Sequence, residues 1–255
     1  MNERESIIIC EGFYDRAFWH GLLVHQFACK DKRMSGPWGD PKGGGIYGLY
    51  SPSKFPLRIQ PISQQPERQT GEKKENPVFR EARRLLTGRE TKPLKHLIIN
   101  VDPDTEEVSQ RAKQIHAEQL LRFMQGIIPD AHTETNGDVL LDEDATRVSL
   151  VAWRVDSDAH SSVPIKQTLE RLVSAAISSA YPHRAENVKD WLASRIDPPQ
   201  HSPKEVAWSY MAGWFAESGC ERFLKDVWND PSVVAGFKRI LEENGSWEKI
   251  IQFAE

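Results

Sequence analysis

The sequence predicts an α/β fold in which a mainly parallel sheet is flanked by helices. Short apolar runs occur at residues 6–10, 95–101 and 148–155, and each is followed directly by a carboxylate. Segments with helical spacing of apolar residues follow these runs along the chain. Strands that alternate with helices, and that are apolar on both faces, are typical of a sheet buried between helical layers.

Local signals place the first helices. A turn at Glu11 and Gly12 separates the first strand from a segment whose apolar residues recur at roughly helical spacing. Residues 77–88 predict a short helix, because Pro77 lies in its first turn and Gly88 follows its end.

The middle of the chain continues the alternation. Residues 105–127 predict a helix with acidic residues in its first turn, where the helix dipole favours them. Residues 132–144 predict an exposed acidic turn, and residues 163–181 predict a long amphipathic helix.

Two compositional breaks divide the chain. Residues 31–75 carry many Gly, Pro and Gln residues and predict an irregular insertion with short strands. A Pro-rich break at 196–203 separates a core domain, residues 1–195, from a helical C-terminal extension, residues 204–255, that packs on the core.

Composition narrows the function classes. The 255 residues are 39% apolar and 27% charged, enough for one substantial core. The net charge of −4 does not favour general binding to a polyanion, so any nucleic-acid contact must be local. The three cysteines lie far apart without a Cys-x-x-Cys pair, which indicates neither a disulfide framework nor a zinc site. With no leader or membrane-spanning run apparent, we expect a cytoplasmic protein.

Carboxylates follow two of the apolar strands. Glu11 ends the first, and Asp102 and Asp104 flank Pro103 after the strand at 95–101. If these strands are neighbours, the carboxylates meet in the crevice where open α/β sheets bind ligands. Hard oxygen ligands are those that Mg²⁺ prefers. The alternative for Asp102 or Asp104 is a cap on the helix that follows.

The segments IIICEGFYDRAF and LIINVDPD resemble the Toprim domain of topoisomerases, primases and OLD-type nucleases. This resemblance implies a Toprim-like, Rossmann-like fold and phosphodiester chemistry that uses Mg²⁺ or Mn²⁺. Glu11 matches the family's strand-terminal glutamate, Gly12 its glycine, and Asp102 with Asp104 its Asp-x-Asp pair. Asp15 matches the acidic residue that follows the glutamate in OLD-like members.

The resemblance extends over about residues 6–180 and implies two further site residues. Glu170 lies where small OLD-like members carry a Leu-Glu pair, and is expected to be a metal ligand. Lys204 lies where such proteins carry a lysine at the start of a late helix, and is expected to offset charge on the phosphorus. The alternatives are a solvated helix face for Glu170 and a first helical turn without a role for Lys204.

The segment from Arg68 to Lys95 is locally basic. Together with Lys54 and Arg58 it predicts a nucleic-acid groove that leads to the carboxylates. The residues expected to contact nucleic acid are Lys73, Lys74, Arg80, Arg83 and Arg84. A solvated helix and loop is the alternative.

The function that the resemblance implies is a metal-dependent endonuclease acting on DNA or RNA. Small OLD-like Toprim proteins often act beside an ATPase in bacterial phage defence, so an ATPase partner is expected, and the oligomeric state is left open. Too little chain remains for a topoisomerase gate domain, which favours hydrolysis.

Two other functions stay open. Asp102, Asp104 and Thr105 also resemble the first motif of haloacid-dehalogenase-type phosphatases, with a nucleophilic first aspartate. That motif normally opens its domain, whereas here a strand and helix precede it. The second alternative is a non-catalytic subunit whose tryptophan-rich C-terminal helices bind a partner.

Overall fold

The computed structural model of the chain describes ten ranges of residues. They are 4–32, 45–62, 76–89, 91–103, 110–128, 131–141, 145–156, 167–194, 203–212 and 219–255. For residues 110–117 and 203–204 only the backbone is described.

Eight strands within these ranges form one mixed sheet. They are Glu5–Cys10 (β1), Lys30–Asp31 (β2), Tyr47–Tyr50 (β3), Pro56–Pro61 (β4), Leu94–Val101 (β5), His132–Thr133 (β6), Val139–Leu141 (β7) and Thr146–Ala152 (β8). Their order across the sheet is β2-β3-β4-β1-β5-β8-β7-β6. The central strands β4, β1, β5 and β8 are parallel, and every other pairing is antiparallel. The parallel centre confirms the fold class that the sequence predicts, and antiparallel strands extend it on both sides.

Strand β1 lies inside the sheet because it is apolar on both faces. Ile7 and Ile9 point into one core, and Ile8 and Cys10 point into the other. A strand without a polar face has to be covered on both sides, so it pairs with β4 and β5 and lies between two helical layers.

Nine helices within the described ranges cover the sheet. They are Phe13–Phe27 (α1), Pro77–Thr87 (α2), Gln110–Gln125 (α3), Leu169–Ala180 (α4), Pro182–Ala193 (α5), Pro203–Met211 (α6), Cys220–Asp226 (α7), Pro231–Glu243 (α8) and Ser246–Ala254 (α9). Helices α1, α4 and α6 to α9 share a core with one face of the sheet, and α2 and α3 share a core with the other. None of the described helices has the length and apolar content needed to cross a bilayer.

The C-terminal helices pack closely against α1. A side chain in place of Gly21 would overlap the backbone carbonyl of Lys225 and the ring of Trp228. The indole N–H of Trp228 donates to the carbonyl oxygen of Phe18 at 3.1 Å. Helices α1 and α7 therefore meet backbone to backbone, which only a residue without a Cβ permits here.

Three sequence expectations differ from the structure. Residues 132–144 were predicted to be an exposed acidic turn, but they contain the hairpin of β6 and β7. Asp138 in this hairpin is fully buried, because it forms ion pairs with Arg147 and Lys249. The long helix predicted from residue 163 begins at Leu169, since the side chain of Thr168 accepts from the N–H of Arg171 and caps it. Helix α5 was not predicted.

Candidate functional site

The strands that end in Glu11 and Asp102 are neighbours. Strands β1 and β5 run parallel, with Ile9 opposite Ile99. Glu11 and Asp102 follow these strands and lie at the same edge of the sheet, the carboxyl edge of the parallel strands. The structure therefore meets the condition on which the predicted site depended.

Helices α1 and α2 begin at this edge. The N-cap of α1 is Gly12, directly after Glu11. The N-cap of α2 is Asn76, whose side chain accepts from the N–H of Val78 at 2.9 Å and donates from Nδ2 to Glu11 Oε1 at 3.3 Å. Glu11 thus lies between two helix N-termini, whose partial positive charge favours a carboxylate.

Asp102 belongs to the start of a third helix. Its Oδ1 accepts from the backbone N–H of Leu169, the first residue of α4, at 2.9 Å. The described bond joins Asp102 to α4, and residues 104–109, where the capping alternative would apply, lie outside the described residues. Glu170 is the next residue of α4 and is only 6% exposed, so the solvated helix face considered for it is wrong.

Asp15 is held by two donors. It lies in the first turn of α1, and its Oδ2 accepts from the N–H of Gly12 at 3.0 Å. Its Oδ1 accepts from the indole N–H of Trp153 at 2.7 Å. Trp153 directly follows β8, so Asp15 is fixed at the end of another parallel strand.

Neighbouring carboxylates disfavour the ionisation of Asp15 and Asp102. Burial, together with the charges of Glu11 and Glu170, raises the pKa of Asp15 to about 7, although the donors Trp153 and Gly12 act in the opposite direction. Burial raises the pKa of Asp102 well above its usual range, and the charges of Asp15, Glu170 and Glu11 add to this effect. Four carboxyl groups are therefore close enough to repel one another.

Protein cations do not balance the two aspartates. Among the described residues, neither Asp15 nor Asp102 forms an ion pair with a lysine or arginine. In the same part of the chain, no three His, Cys, Asp or Glu side chains already converge as a set of metal ligands. The site is a cluster of negative charge, held in part by backbone and indole N–H groups.

Other predicted site residues fall outside the described side chains. Asp104, Lys73 and Lys74 lie outside the described residues. Lys204 is the second residue of α6, and its side chain is not described. It precedes Trp208 by four residues, about one helical turn.

Helix α2 carries the predicted arginines away from the carboxylates. The guanidinium of Arg83 lies over the Phe123 ring, 5.1 Å from its centroid. Arg84 pairs with Glu81 and, with Arg58, lines a cavity of about 550 Å³. This cavity lies at the amino ends of β1, β4 and β5, so these two arginines do not form a groove leading to the carboxylates. Arg80 lies in the first turn of α2, nearest to that edge.

Sequence reasoning missed the two residues that donate to the carboxylates from outside the motifs. Asn76 before Pro77 is a recognisable N-cap signal, but nothing in the sequence connects it with Glu11. The sequence around Trp153 predicts only a core residue. Its hydrogen bond to Asp15 depends on the order of the strands in the sheet, which the sequence does not specify.

Comparisons with known proteins inform the fold alone. No protein-family model matches the chain, and no curated protein has a similar sequence. The crystal structure of a hypothetical protein from Pyrococcus horikoshii OT3 is similar, with a TM-score of 0.67 and 13% sequence identity. The similarity covers 99% of this chain and 100% of that chain. It supports the α/β architecture over the whole length.

Proposed function

We propose that this protein is a Toprim-type nuclease that hydrolyses phosphodiester bonds of DNA or RNA with Mg²⁺ or Mn²⁺. The proposed metal ligands are Glu11, Asp102, Asp104 and Glu170. Asp15 and Lys204 complete the proposed catalytic set.

The observation that carries the proposal is that Asp15 and Asp102 form no ion pair with any described lysine or arginine. Buried carboxylates without a cation cost several kcal/mol in desolvation and repulsion. The raised pKa values of Asp15 and Asp102 express that cost. A hard divalent cation with oxygen ligands would relieve it, and the donor set of carboxylates suits Mg²⁺ or Mn²⁺.

Each side chain then has a chemical role. A bound divalent ion would polarise the phosphate and lower the pKa of an attacking water. Asp15 fits the general base better than Glu11, because the N–H groups of Gly12 and Trp153 fix its orientation. Lys204 would offset negative charge on the phosphate in the transition state.

The biological setting follows from the same family. A nuclease of this kind would act in the cytoplasm beside an ATPase partner, as an effector of phage defence. The oligomeric state stays open in this proposal.

The phosphatase alternative has weaker support. Glu11, which directly follows the neighbouring strand β1, has no part in that motif. The observation that carries the proposal also disfavours a non-catalytic subunit, because Asp15 is buried and no described lysine or arginine pairs with it.

The experiment is cleavage of supercoiled plasmid and of single-stranded RNA with Mg²⁺ or Mn²⁺, with EDTA as the metal-free reference. We expect Glu11→Gln and Asp102→Asn each to lower the rate about 10³-fold, since the metal contributes several kcal/mol to catalysis. Glu118→Gln is the matched control, because Glu118 is an exposed carboxylate on α3 that pairs with Arg122. Cleavage that survives both site variants with unchanged folding would refute the proposal.

A further inference from the structure

Two exposed aromatic rings lie beside the carboxylate cluster. Phe13 and Tyr14 are the first two residues of α1, between Glu11 and Asp15, and each is 41% exposed. Most of the large aromatic side chains described are buried or half-buried. Among the described residues six large hydrophobic side chains are well exposed, and two of them adjoin the proposed catalytic site.

Both rings are supported from the protein side. Tyr14 makes an edge contact with the ring of Trp208 in α6, with centroids 5.8 Å apart and planes at 71°. The Arg16 guanidinium lies 5.1 Å from the centroid of the Phe13 ring. Arg16 is itself only 1% exposed and donates to Glu221 at 3.1 Å, which fixes its position.

The charge of the site makes apolar contacts important for affinity. A cluster of carboxylates repels a polyanionic strand, and the arginines at positions 58 and 84 lie at the opposite edge of the sheet. These two arginines therefore supply no phosphate contacts beside the cluster. Stacking of bases on aromatic rings does not depend on net charge, and it tolerates any base because every base has a flat face.

We propose that Phe13 and Tyr14 form a stacking platform for unpaired bases, so that the substrate is a single strand or a duplex with an unpaired segment. This inference rests on the proposed function and specifies its substrate class. In an intact duplex the faces of the bases are already stacked on one another and cannot reach the rings. The platform would hold one or two unpaired bases next to the phosphate that is cut.

The test is binding of a fluorescently labelled 12-nucleotide DNA strand, compared with the duplex of the same sequence, by anisotropy. Ca²⁺ replaces Mg²⁺, because it takes the same kind of oxygen ligands. We expect Phe13→Ala/Tyr14→Ala to weaken single-strand binding about tenfold or more, by the usual effect of removing a stacking ring. Duplex binding should change less than about twofold, and Phe13→Trp/Tyr14→Trp should restore single-strand binding.

The matched control is Phe55→Ala. Phe55 is 40% exposed and directly precedes β4, at the opposite edge of the sheet. Equal losses in this control and in the double variant, an unchanged affinity of the double variant, or a wild-type protein that binds no single strand would each overturn the inference. Circular dichroism and the melting temperature verify that the double variant is folded.

Binding and cleavage separate the two proposals. If the wild-type protein cuts nucleic acid but the double variant binds single strands as tightly as the wild type, the stacking platform is refuted and the proposed nuclease function is retained. If single strands bind through the two rings and no metal supports cleavage, the nuclease is wrong and the platform stands.

Discussion

Asp138 and Asp15 are the two buried aspartates among the described residues, and of these two only Asp138 forms described ion pairs with protein cations. Asp138, at the start of β7, is fully buried, and its carboxylate lies 3.2 Å from Arg147 and 3.4 Å from Lys249. Asp15 and Asp102 lie at the carboxyl edge of the parallel strands, and the described residues provide them with N–H donors but no ion pair.

We propose that this difference separates a buried charge that stabilises the fold from one that a bound ligand would neutralise. An aspartate that stabilises the fold is paired with cations from the chain, because an unpaired buried charge is costly. For Asp15 and Asp102, no described lysine or arginine offsets this cost in the metal-free protein. Such a cost is tolerated where a ligand from outside relieves it, which is why perturbed carboxyl groups concentrate at functional sites.

The same substitution at the two places should act in opposite directions. Asp138→Asn leaves Arg147 and Lys249 without their buried anion, and we expect the free energy of unfolding to fall by about 3 kcal/mol. Asp102→Asn removes one of several repelling charges and keeps an oxygen for the N–H of Leu169, so the metal-free protein should be as stable as the wild type or more stable.

Urea unfolding at pH 8 with EDTA measures both changes. A large loss of stability in Asp102→Asn would mean that Asp102 is chiefly structural. Asp102 and Asp138 would then both stabilise the fold, and the proposed difference between them would be refuted.

The parts of the site that come from contiguous motifs were predictable. An apolar strand followed directly by a carboxylate places Glu11 and Asp102 at an edge of the sheet, and nothing beyond periodicity is needed for this inference. The order of the strands was not predictable from one sequence. Periodicity does not specify which strand pairs with β1, and the bond from Trp153 to Asp15 depends on that pairing.

Charge patterns were the least reliable guide. The basic segment after residue 68 was expected to lead to the carboxylates, but α2 directs Arg84 to the opposite edge. The acidic segment around Asp138 was expected to be solvated, but long-range pairs with Arg147 and Lys249 bury that residue. A count of charges along the chain does not reveal such pairs, because their partners are distant in sequence.

Asp15 should also make the free energy of unfolding depend on pH. Asp15 has an ordinary pKa of 3.8 and a folded pKa of about 7, so the folded state holds a proton that the unfolded state has lost. Stability of the metal-free protein therefore falls as pH rises between these values. Relative to Asp15→Asn, the wild type should lose about 2 kcal/mol between pH 5 and pH 8.

His96 acts in the opposite direction. Burial, and then the charge of Arg147, lowers its pKa from 6.5 to about 3, so its contribution is lost as pH falls below 6.5. His96 is present in both proteins, so the difference in stability between the wild type and Asp15→Asn reports the effect of Asp15 alone. The measurement is urea unfolding of both proteins in EDTA. If the free energies of unfolding of the two proteins changed in parallel with pH, the pKa of Asp15 would not be raised by folding. Added Mg²⁺ should reduce the difference in stability between the two proteins at pH 8.

The smallest expected effect concerns the link between a helix cap and Glu11. Asn76→Ser keeps a side-chain oxygen for the N–H of Val78, so the stability should change by no more than about 0.5 kcal/mol. It removes the Nδ2 donor that lies 3.3 Å from Glu11 Oε1. Because this bond is long and exposed, the apparent Mn²⁺ affinity should change only about two- to fivefold.

Titration of Mn²⁺ by calorimetry measures that change, with Asn136→Ser as the matched control. Asn136 has the corresponding place beside the paired aspartate, since its Nδ2 donates to Asp138 at 3.2 Å and its Oδ1 accepts from the Asp138 N–H. The control should leave Mn²⁺ affinity unchanged, because the cations of Asp138 come from the chain. An equal change in both variants would mean that Mn²⁺ does not distinguish the two places, and Glu11 would then lose its assignment as a ligand.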